Sequence, residues 1–95
     1  MTNFEVCGFR RDDHTVKVCM IVDDTNLVRD GRDSPHRIAE TIAGPEYCFH
    51  ACSNINQDQV VPEHIKNRLF TTADELEELY TAVPRLRPQP RRRRR

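Results

Sequence analysis

Tryptophan is absent from the 95 residues, glycine occurs three times and aromatic residues make up 6%. A core built from this composition has to be small and aliphatic, and a chain of this length supports one domain with little margin. No apolar run approaches the ~20 residues that a membrane-spanning helix needs. Met1–Val6 includes Glu5 and no apolar stretch follows it, so no secretory signal is expected. Without one, the four cysteines are expected as reduced thiols in an intracellular protein, nuclear in a eukaryotic host and cytoplasmic otherwise. Phosphate-binding loops, dinucleotide fingerprints, nucleophile elbows, EF-hand loops and Cys-x-x-Cys knuckles are all missing, as is any internal repeat.

A net charge is missing as well, but the zero is composed of two opposed blocks. Residues 1–84 hold 8 Lys/Arg against 15 Asp/Glu, a formal −7, whereas residues 85–95 hold 7 Arg and no acid. The expected organisation is one acidic domain over 1–84 and a disordered Arg-rich tail over 85–95. The Pro-Arg-Leu-Arg-Pro-Gln-Pro segment and the five arginines after it have almost no apolar surface to bury.

What is present begins with Thr15–Asp24, the longest β-branched apolar run. Val16, Val18, Met20 and Val22 alternate with Lys17, Cys19, Ile21 and Asp23. The spacing predicts a central strand buried on one side and partly on the other. Phe4–Arg10 is expected to pair with it as a hairpin, and the register that sets Arg11 opposite Thr15 also sets Cys7 opposite Cys19. Ser34-Pro35 and Gly44-Pro45 punctuate a short helix bearing Ile38, Ala39 and Ile42. Glu46–Ser53 alternates as a third strand, expected parallel to the central one because a helix intervenes. Val61, Ile65 and Leu69 predict a second helix. Thr72 with Glu75 forms a capping box for a third, whose apolar face is Leu76, Leu79, Tyr80 and Val83, with Pro84 closing it. The fold class is thus α+β: a small three-stranded mixed sheet, the N-terminal hairpin plus one strand, packed by two to three helices.

Three groups of residues could carry chemistry. The guanidinium groups of Arg85, Arg87, Arg91, Arg92, Arg93, Arg94 and Arg95 suit sequence-blind condensation on nucleic acid or capture by an import receptor. The Pro84, Pro88 and Pro90 spacing does not match a P-x-x-P ligand. Cys7, His14, Cys19, Cys48, His50 and Cys52 suggest zinc, but Cys48 and Cys52 on one strand would lie about 13 Å apart. A metal held at about 2.3 Å from each sulfur could not join them. A cross-strand set of Cys7, Cys19, Cys48 and His50 survives that test in one register only. No metal and no cofactor is therefore expected. Cys48 or Cys52 with His14, His36, His50 or His64 could form a nucleophile pair, but no motif surrounds any of them, and no catalytic residue is assigned. The paired acids Asp12-Asp13, Asp23-Asp24 and Asp30/Asp33 lack calcium-loop spacing.

The expected function is that of a non-enzymatic regulatory or accessory protein, a design that would suit a virus or phage. Its domain would bind a protein partner through Asp74, Glu77 and Glu78 and through the hairpin face with Phe9 and Ile21. That face, with Cys7 and Cys19 also on it, would equally suit a homodimer. The tail would engage nucleic acid or an import receptor, and no membrane contact is expected. The alternative is a pure protein-interaction module, an inhibitor or adaptor, whose acidic surface occupies a partner's basic site while the tail plays no part.

Overall fold

The computed structural model describes residues 2–25 and 34–86. Strands β1 (Asn3–Arg10) and β2 (Asp13–Asp23) form a hairpin, helix α1 (Pro35–Ala43) follows, then β3 (Tyr47–Ile55) and helix α2 (Ala73–Ala82). A 3-10 turn at Glu63–Ile65 and another at Pro84–Leu86 are also present among the described residues. A small α+β fold is what the sequence leads one to expect. No helix among the described residues is long and apolar enough to cross a membrane.

The strand order differs from expectation. The sheet runs β2-β1-β3, and both pairings are antiparallel. The helical connection after β2 does return β3 in the same direction as β2. It lands on the far edge of β1 and not beside β2, so the central strand is β1 and the sheet is antiparallel and not mixed. The outer edge of β2 is closed in another way. Cys19 exchanges backbone hydrogen bonds of 2.9 Å with Phe70 in both directions, and the Asn67 amide donates to the Ile21 carbonyl at 2.7 Å. That edge pairing also explains why the helix expected around Val61, Ile65 and Leu69 is reduced to one turn. Lys66 turns extended, and Asn67 adopts φ 59, a left-handed conformation asparagine tolerates better than most residues. The apolar residues still anchor the segment, but to opposite sides of the sheet: Val61 and Ile65 in one core, Leu69 against the other.

Two cores result, one on each face. Under α1 lie Val6, Val18, Met20, Val22, Ile38, Ala39 and Phe49. Under α2 and the 61–70 segment lie Cys19, Ile21, Ile55, Val61, Ile65, Phe70, Leu79, Tyr80 and Val83. The hairpin face expected to meet a partner is therefore covered from within the chain, and Ile21 is fully buried. As a partner-contact residue Ile21 is corrected: a side chain with no exposed surface cannot meet a partner.

A bulge decides which residues of β3 face which core. Cys7 pairs with Ala51 but Gly8 pairs with Phe49, leaving His50 as the extra residue. Phe49 and Ile55 are six residues apart and would share a face on a regular strand. Here they enter opposite cores. Gly8 makes the bulge feasible, since a Cβ there would lie within van der Waals overlap of the Cys48 backbone.

The helix ends follow their sequence signals. The Ser34 hydroxyl accepts from the Arg37 amide, and Gly44 at φ 105 stops α1. Thr72 and Glu75 form the reciprocal capping box of α2, a cap worth about 1 kcal/mol.

Candidate functional site

The face beneath α2 carries all the unusual chemistry of the sheet. Residues alternate in direction along a strand, so Glu5, Cys7 and Phe9 of β1 share that face, opposite Ile21, Cys19 and Lys17 of β2. Of the registers open to the hairpin, the observed one sets Cys7 opposite Cys19, and the two Sγ atoms lie 2.7 Å apart. The register slips only near the turn, between Phe9 and Arg10. There the Asp13 carboxylate accepts from the Thr15 amide at 3.1 Å and from its hydroxyl at 2.6 Å. Cys19 is wholly buried and its backbone is tied to Phe70, while Cys7 and Glu5 are half-buried.

Tyr80 reaches down from α2 onto this group, and Lys17 Nζ lies 3.4 Å from its hydroxyl. A carboxylate oxygen of Glu5 and the sulfurs of Cys7 and Cys19 all fall within 4.8 Å of one another. The two thiols are electrostatically linked, each biasing the titration of the other. Cys19 loses its proton more readily than an ordinary thiol: the Cys7 S–H donates to it, and Lys17 and the Tyr80 hydroxyl also stabilise the thiolate, against the opposing effect of burial. Cys7 is correspondingly held protonated, by its bond to Cys19, then by burial and by the negative charge beside it. Burial raises the Glu5 carboxyl, only partly offset by Cys7 and Lys17. Burial also raises the Tyr80 phenol, with the Cys19 charge adding to it.

The remaining sequence-derived candidates separate. Asp74 and Glu77 are exposed on the outer face of α2. Glu78 is already neutralised by a two-pronged pair with Arg68 at 2.8 and 3.1 Å, and the Arg68 guanidinium lies over the Phe70 ring. Phe9 is half-buried between the rings of His14 and His50, at 4.3 and 5.4 Å. No histidine hydrogen-bonds a cysteine among the described residues, so Cys48 and Cys52 are not joined to a base. Arg85 is exposed at the rim of a shallow groove lined by Asp58, Val60 and Val83, 3.5 Å from Asp58. Arg87, Arg91, Arg92, Arg93, Arg94 and Arg95 lie outside the described residues, as do Asp30 and Asp33.

Sequence reasoning weighed Cys7 and Cys19 together but missed Glu5, Lys17 and Tyr80. The first two were within reach, because each lies two residues from one of the cysteines and hence on its face. Tyr80 depends on how α2 docks, which no local pattern encodes. Comparison with protein-family models, with curated proteins and with solved structures yields no match.

Proposed function

We propose that the protein is a non-enzymatic accessory protein that binds nucleic acid through the Arg-rich segment 85–95 and presents its folded domain to a protein partner. The observation that carries this reading is the division of charge, −7 over residues 1–84 and seven arginines without an acid over 85–95. Guanidinium groups condensing on phosphates release counterions, which gives affinity without base readout. Two further features support it. Arg85, the one arginine of the segment that is described, is solvent-facing and pairs at 3.5 Å with the exposed Asp58, an ion pair of little strength. Among the described residues, those forming the cores on both sheet faces lie outside the arginine run, the last of them being Leu86.

On the domain, the exposed Asp74 and Glu77, with Phe9 half-exposed between two imidazoles, are the surface offered to a partner. Removing residues 87–95, which spares Leu86 packed against the core beneath α2, should strongly weaken binding to a fluorescent single-stranded oligonucleotide and leave the melting temperature unchanged. A truncated chain that binds as well as the full one overturns the proposal and favours the alternative, in which the acidic surface occupies a partner's basic site.

A further inference from the structure

We infer that Glu5, Cys7 and Cys19 form a binding site for a zinc-type divalent cation, with Lys17 and Tyr80 as its outer shell. Three chemically suitable donors converge from two adjacent strands, their ligating atoms within 4.8 Å of one another. Two thiolates and a carboxylate are a set that zinc accepts, with solvent in the fourth position of a tetrahedron. The strand pairing fixes the donors before any metal arrives: Cys7 faces Cys19 directly, and Glu5 is two residues from Cys7 on the same face. A tetrahedral centre needs its sulfurs about 3.8 Å apart. The present 2.7 Å separation therefore opens by about 1 Å on binding, within reach of small side-chain rotations and without moving the ladder.

The surroundings complete the site. A divalent ion with two thiolates and one carboxylate leaves one negative charge, and the Lys17 ammonium offsets it from the solvent side. The Tyr80 hydroxyl, near both Lys17 and Cys19, is placed to donate to the bound thiolate, the kind of outer contact that orients a ligand and tunes affinity. Binding displaces one proton from each thiol into solvent, so occupancy rises with pH. Cys48 and Cys52 are four residues apart on one strand, too far to share a metal, whereas Cys7 and Cys19 face each other across two. The third donor of this cross-strand set is the Glu5 carboxylate and not a histidine.

The test is titration of the reduced, full-length chain with cobalt(II), a spectroscopic stand-in for zinc, followed by displacement with zinc. The expected result is one cobalt per chain with a sulfur-to-cobalt charge-transfer band and tetrahedral visible bands. Cys7→Ser and Cys19→Ser should each lose the two-sulfur spectrum, and a Cys48→Ser/Cys52→Ser double variant should retain it. Glu5→Gln should weaken zinc by about tenfold or more, and Tyr80→Phe by about tenfold. Glu5→Gln and the double variant keep the test decisive should either serine variant fail to fold, as circular dichroism would show. Absence of the band in the parent chain, its survival in Cys7→Ser or Cys19→Ser, or unchanged zinc affinity in Glu5→Gln overturns the assignment.

Discussion

The two faces of one sheet have been built to different rules. Beneath α1, alternate residues of β1 and β2 supply Val6, Val18, Met20 and Val22, all fully buried and all apolar. Beneath α2, the same strands supply Glu5, Cys7, Lys17 and Cys19 beside Ile21. Apolar burial contributes roughly 25 cal/mol per Å², so the first face is what an aliphatic chain without tryptophan would use for stability. The second gives up part of that contribution to hold a carboxyl, two thiols, an ammonium and a phenol within reach of one another. A partly buried polar cluster of this kind has to be satisfied internally or it destabilises the fold. The face that gathers the reactive side chains is the one where simple alternation of apolar residues breaks down.

The most severe way to break this comparison is to remove the device that sorts the faces. Gly8→Ala would drive a Cβ into the Cys48 carbonyl at the bulge where β3 changes sides. An expected loss of about 4 kcal/mol or more follows, since backbone and not a flexible side chain would have to yield. Chemical denaturation should show the variant largely unfolded.

Next come the cores themselves. Met20→Ala on one face and Leu79→Ala on the other should each cost roughly 2–5 kcal/mol, because both side chains are fully buried. Equal cooperativity in the two unfolding curves is expected. If Leu79→Ala instead leaves the stability unchanged, α2 is peripheral and the second face is not a core.

A smaller effect separates the faces by pH. Burial holds the Glu5 carboxyl above its ordinary value in the folded state. The folded chain then binds more protons than the unfolded one in the window from the ordinary glutamate value up to the raised one, and stability falls as pH rises through it. Metal-free Glu5→Gln lacks that loss, so its melting temperature should gain on the parent's across the window and then level off. Asp13, Glu75 and Glu78, all shifted downward by their hydrogen bonds, act in the opposite sense. They contribute stability above the ordinary carboxylate range that is lost as pH falls through their lowered values, but they do so in both chains and cancel in the difference. A constant difference across the range would mean that Glu5 is solvated like any surface acid.

Much of this architecture was legible from residue patterns, and the failures have identifiable causes. Caps at Ser34 and Thr72, stops at Gly44 and Pro84, and the Val16–Val22 alternation are local, and each appears where the residues place it. The order β2-β1-β3 was not legible, because a helical crossover specifies direction and not which neighbour is reached. The bulge at His50 defeated the alternation of β3, and only the absence of a side chain at Gly8 hinted at so close an approach. The 61–70 segment has a four-residue apolar spacing, yet the unpaired edge of β2 offered its backbone better partners than a helix would.

On the function proposed above, affinity for nucleic acid resides in the arginines of residues 85–95 and not in the acidic domain. Its most direct measurement is the slope of log affinity against log salt for the full chain on single-stranded DNA of several sequences. Each phosphate neutralised contributes about 0.7 to that slope on a single strand, so seven arginines predict a value approaching about −5, independent of sequence. A slope near zero, or affinity that changes with base sequence, would place recognition elsewhere and contradict the account.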